Sequence, residues 1–159
     1  MVAFRHGRRL ALDIGSVRIG VAQCDPDGIL ATPLTTVYRR DGDERALTEL
    51  HALIVEHEPI EIITGLPTSL DGQQRASAGA ARSFAQVLAG QADIPVREVD
   101  ERFTTTQAHG VLQSAGRSSR QRREIVDSVA AVMILQAAID QEKRTGQPAG
   151  SLIDTTEEP

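Results

Sequence analysis

Tryptophan is absent and aromatics make up only 3 % of the 159 residues, so the core has to be packed from Ala, Val, Ile and Leu. Small aliphatic side chains suit a sheet covered by helices better than an aromatic-filled sandwich. Cysteine is nearly absent too, and Cys24 alone excludes an internal disulfide framework and any cysteine-based zinc site. Cys24 falls in a predicted strand, where a free thiol packs as a small hydrophobe; an intersubunit disulfide or redox switch is the competing reading. No long hydrophobic run occurs. The longest, Val129 to Leu135, is far too short to cross a bilayer, and Met1 to Arg9 has no apolar stretch of signal-peptide type. The expectation is a cytoplasmic protein with no membrane partner.

Lysine is confined to Lys143, so almost all the positive charge is arginine, whose planar fork suits phosphate. Arg117, Arg120, Arg122 and Arg123 crowd into one short segment. The net charge of -5 argues against nonspecific coating of nucleic acid, while leaving room for a local basic surface.

The length fits one domain. Residues 9–14 and 18–25 read as strands joined by a glycine turn, and Asp25-Pro-Asp-Gly28 turns the chain into a third strand over 29–38, giving an antiparallel meander. Apolar residues at helical spacing predict a helix over 43–57, stopped by Pro59. The β-branched run 60–65 reads as a central parallel strand, 75–88 as an alanine-rich helix, 94–100 as another strand, 104–112 as a capped helix and 122–143 as a long helix. The expected architecture is therefore α/β, a mixed five-stranded sheet of three antiparallel and two parallel strands flanked by helices. One domain spans 1–145, and the Gly-, Pro-, Thr- and Glu-rich residues 146–159 read as a disordered tail. Sheets of this kind bind ligands at the carboxyl ends of their parallel strands.

Three acidic segments are candidates for chemistry. Asp13 ends an apolar strand and is followed by Gly15, the arrangement that holds a divalent metal against a phosphate; an acidic turn residue is the plain alternative. Asp100 and Glu101 are adjacent in a strand, so they project to opposite faces and periodicity does not choose between them. Asp127 begins an almost wholly apolar helix stretch, with Ala131 and Ile134 at i+4 and i+7, where a lone carboxylate is costly unless a metal, an arginine or exposure at the helix start relieves it. Carboxylates brought together would repel, and bound Mg²⁺ or Mn²⁺ is the natural compensation. Gly65-Leu-Pro-Thr-Ser-Leu-Asp-Gly72 offers hydroxyls and amides at a central strand end. It lacks the ending of a P-loop, and no Gly-x-Gly-x-x-Gly occurs. His6, His51, His57 and His109 lack metal-ligand spacing, and no serine or cysteine sits in a nucleophile motif.

The segments Asp13 to Ala22, Gly65 to Gly72, Asp100 to Thr105 and Val126 to Gln136, in this order, resemble the YqgF family, and the likeness runs from about Arg9 to Gln141. The resemblance implies an RNase H-like fold and a metal-dependent endonuclease that processes the 5′ end of precursor 16S rRNA, or acts as a RuvX-type Holliday junction resolvase in DNA recombination. It implies Asp13, Glu101 and Asp127 as the catalytic and metal-binding triad, favouring Glu101 over Asp100, with two Mg²⁺ or Mn²⁺ ions about 4 Å apart. Val17 and Thr68-Ser69 depart from the family pattern and touch on substrate contacts rather than on any carboxylate. Substrate phosphate contacts are expected at Gly15, Arg18, Gly65, Arg117, Arg120, Arg122 and Arg123. The expected partner is nucleic acid, either precursor rRNA or branched DNA, and junction cleavage would need a homodimer. A noncatalytic nucleic-acid-binding module and an actin-like ATPase are the competing classes; the second needs two such domains, and the chain has room for one.

Overall fold

Alternation along the first strand decides how the sheet is covered. In the computed structural model, residues 4–66, 75–100 and 119–153 are described, the side chains at 66, 75–79, 100 and 119–128 excepted. Strand β1 (Arg9–Ile14) lies at the centre, antiparallel to β2 (Arg18–Cys24), which pairs with β3 (Ala31–Tyr38). On its other side β1 runs parallel to β4 (Glu61–Leu66), and β4 parallel to β5 (Val96–Asp100). Helix α1 (Asp43–His57) follows the meander, α2 (Arg75–Gln91) joins β4 to β5, and α3 (Ser119–Thr145) closes the chain before β6 (Ser151–Leu152). The strand order is β3-β2-β1-β4-β5-β6.

Leu10, Leu12 and Ile14 face one way and pack with Ile19, Val21, Ile62 and Val96 against Leu50 of α1 and Phe84 and Leu88 of α2. Ala11 faces the other way, with Ala22, Cys24, Ala31 and Ile63, against Ala131, Ile134, Leu135 and Ala138 of α3. Burying each large aliphatic side chain contributes about 1.5–3 kcal/mol, so both layers are needed and neither helix face is decorative. Alanine at 11, 22 and 31 brings α3 close to the sheet, as the scarcity of aromatics requires. Cys24 is buried in this layer, and burial pushes its thiol up from the ordinary range, which suits a packing role.

The expected meander, crossover helix and two parallel strands are all present; β5 starts at Val96 rather than 94, α2 runs on to Gln91 and α3 to Thr145, and three further differences change the architecture or its edges. A sixth strand extends the sheet: Glu98 pairs with Ser151, Arg97 with Leu152, and the Ile153 N–H donates to the Val96 carbonyl at 2.9 Å. The disordered tail expected from 146 therefore does not describe residues 146–153; composition suggested disorder, but the open edge of β5 gives the apolar pair Leu152-Ile153 a place to bond. Residues 154–159 lie outside the described residues. Next, β3 begins at Ala31 rather than 29, because the Asp25 carboxylate accepts the N–H groups of Asp27, Ile29 and Leu30 at 3.1, 2.8 and 2.9 Å and holds them in a loop. Finally, α3 starts at Ser119, ahead of the expected 122. The helix expected over 104–112 lies outside the described residues.

The far end of α3 is tied to the sheet by charge. Arg9, Glu61 and Glu142 are 1, 1 and 3 % exposed, which only mutual pairing makes tolerable. Arg5 donates to Glu142 at 2.8 Å and to Glu61 at 2.9 Å, Arg97 donates to Glu61 at 3.1 Å, and Arg9 donates to Glu142 at 3.2 Å. Burial pushes the Glu142 carboxyl up, but the hydrogen bonds from Arg5 and the nearby charge of Arg9 outweigh it and hold the group at about 2.

Candidate nucleic-acid interface and acidic site

Asp13 occupies the last turn-ward position of β1 on the face that α3 covers, since it shares alternation with Ala11. Its neighbours across the sheet are Gly20 on β2 and Gly65 on β4. Extended outward, this row runs from Thr36 through Gly20, Asp13 and Gly65 to Val99. Glycine on both sides contributes no side chain to this face, so the space flanking the half-buried carboxylate is not filled from within the row. A carboxylate so placed, at the carboxyl end of a central strand, stands where sheets of this kind bind ligands.

The turn behind Asp13 is fixed. The Gly15 N–H donates to the Arg18 carbonyl at 2.9 Å, and a Cβ at position 15 would stand 2.8 Å from that oxygen, so the turn needs glycine for lack of space. Arg39 donates from Nη1 to the Gly15 carbonyl at 2.7 Å and from its backbone N–H to the Val17 carbonyl at 2.8 Å. Its guanidinium also holds both oxygens of Asp43 at 3.0 Å and lies 4.9 Å from the centre of the Phe84 ring. Hydrogen bonding to Arg39 lowers the Asp43 carboxyl from its ordinary range. Arg39 is thus a brace between the turn, the start of α1 and α2.

Of the residues expected to carry chemistry, Asp13, Gly15, Arg18 and Gly65 gather at this end of the sheet. Arg18 shares alternation with Gly20 and Ala22 and so lies on the face of Asp13, opposite Tyr38. Asp127, Arg120, Arg122 and Arg123 belong to the early turns of α3, where their backbone is described and their side chains are not. Position 127 precedes Ala131 by four residues and Ile134 by seven, and both are buried against the sheet. Glu101 and Arg117 lie outside the described residues. Val99 packs on the layer of α3 and Arg97 bonds Glu61 on that same side, so β5 presents odd-numbered positions to the face of Asp13. Asp100 has the opposite parity, that of Val96 in the other layer. Among the described residues no group of three metal-type ligands gathers, since Asp13 is the one member of the expected triad whose side chain is described.

Two residues went unnoticed in the sequence. Tyr38 ends β3 on the face of Asp13, and the guanidinium of exposed Arg40 lies 4.8 Å from its ring centre. The run Tyr-Arg-Arg at a strand end was the available signal, but only the fold separates Arg39, turned inward as a brace, from Arg40.

A family model described as "RuvX: Holliday junction resolvase" matches residues 7–141. A curated protein of Streptomyces coelicolor named "Putative pre-16S rRNA nuclease" is 50 % identical over 151 residues, covering 94 % of this chain and 90 % of that protein. A relative of the same name from Thermobifida fusca is 46 % identical over 160 residues, covering 96 % and 99 %. Among solved structures, Thermus thermophilus RuvC in complex with a Holliday junction substrate aligns with a TM-score of 0.54 at 17 % identity, covering 91 % of this chain and all of that one. This likeness concerns the fold alone, and it agrees with the RNase H-like architecture that the motifs led one to expect. No helix among the described residues is long and apolar enough to cross a membrane. Matched over nearly its whole described length and half identical to a curated relative, the chain belongs to the RuvX family.

Proposed function

We propose that this protein is a metal-dependent endonuclease that hydrolyses phosphodiester bonds in structured nucleic acid, with precursor 16S rRNA as its substrate and the cytoplasm as its place of action. The observation that carries the reading is Asp13, a half-buried carboxylate at the end of the central strand with glycine on both sides. Membership of a family whose curated relatives are named as nucleases supports it.

In this reading Asp13, Glu101 and Asp127 hold two Mg²⁺ or Mn²⁺ ions. When bound, such ions lower the pKa of water and neutralise charge on the phosphate, chemistry that the carboxylates do not supply alone. The protein's own part is to fix the ligands and position the strand. Asp13 is fixed by the rigid sheet, and the glycines beside it let a phosphate approach the backbone. Arg18 lies on the same face within reach of an adjoining phosphate, while Arg117, Arg120, Arg122 and Arg123, at and before the start of α3, add positive charge along the path of the substrate. The domain that does this takes in residues 1–145 and, through β6 on the same sheet, Ser151–Leu152.

Holliday junction cleavage is the second reading, favoured by the description of the family model and by the fold likeness to RuvC. It would require a homodimer, because a four-way junction is cut at two points. Purified protein offered a precursor rRNA fragment and a four-way DNA junction, with and without Mg²⁺, separates the two while its mass in solution is measured. Asp13→Asn is expected to abolish cleavage of whichever substrate is cut. Undiminished Mg²⁺-dependent cleavage by a folded Asp13→Asn protein would refute the assignment.

A further inference from the structure

We propose that Tyr38 and Arg40 form a stacking platform for an unpaired base of the substrate, with Arg18 taking the adjoining phosphate. The inference rests on the nuclease reading and deepens it, since it names the substrate class as nucleic acid with a single-stranded stretch at the site.

Tyr38 is the one tyrosine of a chain that has no tryptophan and three phenylalanines. Among the described residues, Phe4 is tucked under Arg9 and Lys143, at 4.2 and 5.1 Å, and Phe84 is 3 % exposed in the core, while Phe103 lies outside them. Tyr38, by contrast, ends β3 opposite Arg18 and on the same face as Asp13. The row holding Tyr38 and Arg18 lies two residues beyond the row of Thr36, Gly20 and Asp13. Strand geometry puts Tyr38 about 7 Å along the strands and about 10 Å across them from Asp13, within reach of nucleotides adjoining the scissile phosphate.

Arg40 gives the ring its second element. Its guanidinium lies 4.8 Å from the Tyr38 ring centre, and the residue is exposed. Among the described residues it makes no ion pair, whereas neighbouring Arg39 is spent on Asp43, Gly15 and Phe84. A planar cation stacked on an aromatic ring extends the surface on which a base can lie, and its charge attracts the phosphodiester backbone. A base inside a duplex is already stacked on both sides and cannot use such a surface, so the platform selects bases splayed out of a helix.

The test uses a short oligonucleotide carrying one 2-aminopurine, made as single-stranded RNA, as single-stranded DNA and as a blunt duplex. Binding is followed by fluorescence in the Asp13→Asn background with EDTA present, so that no turnover intervenes. The single strand should bind more tightly than the duplex, with quenching of 2-aminopurine. Tyr38→Ala should weaken binding by about 5- to 150-fold and remove the quenching, while Tyr38→Phe, which keeps the ring, should restore both. Arg40→Lys, which keeps the charge but not the plane, should lose quenching as Arg40→Ala does. Losses in either sugar series support the platform, and the tighter-binding series names the nucleic acid. Equal affinity for duplex and single strand, or unchanged quenching in Arg40→Lys or Tyr38→Ala, overturns the platform. Absence of Mg²⁺-dependent cleavage of any of these nucleic acids by the wild-type protein overturns the nuclease reading and leaves this binding result standing.

Discussion

Arg9 and Glu142 meet inside the protein, with Nη2 of the arginine 3.2 Å from each carboxylate oxygen and both residues almost wholly buried. The pair joins the start of β1 to the end of α3, on the very face that carries Asp13 at the other end of the strand. It ties α3 to the sheet together with the packing of Ala131, Ile134, Leu135 and Ala138 on the same face. Removing one partner from a buried pair leaves an uncompensated charge and costs about 3–5 kcal/mol. Glu142→Ala is therefore expected to lower unfolding free energy by that amount in urea titrations. Glu142→Gln, which keeps the volume but removes the charge, is expected to account for most of that loss. A Glu142→Gln protein as stable as wild type would mean that packing rather than charge holds this corner.

Acid should act through the same group. The folded-state carboxyl of Glu142 sits at about 2, below its ordinary value of 4.5, so the native protein binds this proton less readily than the unfolded chain. The stabilisation, about 3 kcal/mol, is fully present above pH 4.5 and is lost as pH falls from there toward 2. Melting temperatures taken from pH 7 down to pH 3 should fall more steeply in wild type than in Glu142→Gln below about pH 4.5. Parallel curves would remove Glu142 from the account of acid sensitivity.

Gly15 makes a third case, because its role is steric. A methyl group there would meet the Arg18 carbonyl oxygen at 2.8 Å, and backbone in a braced turn has little freedom to yield. Gly15→Ala is expected to destabilise by about 1–3 kcal/mol. Cleavage should fall further than stability explains, because the turn that moves also carries Arg18 and follows Asp13. A variant that unfolds at the wild-type urea concentration and cleaves at the wild-type rate would show the turn to be tolerant.

Much of this arrangement was legible in the residues. Alternation of Leu10, Leu12 and Ile14 against Ala11 and Asp13 divides the sheet into its two layers before any coordinates are seen, and the structure keeps that division. Local pattern also placed β1 and α1 with the bounds they have. What it did not give was long-range. β6 exists because β5 has an edge to offer, and residues 146–153 show no strand periodicity of their own. The loop over Asp27 to Leu30 depends on one carboxylate gathering three N–H groups, which β-propensity at Ile29 and Leu30 hides. The choice between Asp100 and Glu101 shows the same boundary: strand periodicity says that they differ in face, and only the packing of Val99 against α3 says which parity belongs with Asp13.

Metal binding offers a test that needs no substrate. If Asp13, Glu101 and Asp127 share Mg²⁺ or Mn²⁺, the folded chain binds the ion and the unfolded chain, with its acids dispersed, does not. The ion then stabilises the fold by about 2.7 kcal/mol at a hundred times its dissociation constant, and the melting temperature climbs with metal concentration. Each of Asp13→Asn, Glu101→Gln and Asp127→Asn should flatten that climb while raising the melting temperature without metal, since like charges no longer repel. Asp100→Asn, of the opposite strand parity, should behave as wild type. A metal response that survives Glu101→Gln but disappears in Asp100→Asn would exchange the two acids and show that β5 changes its parity beyond Val99.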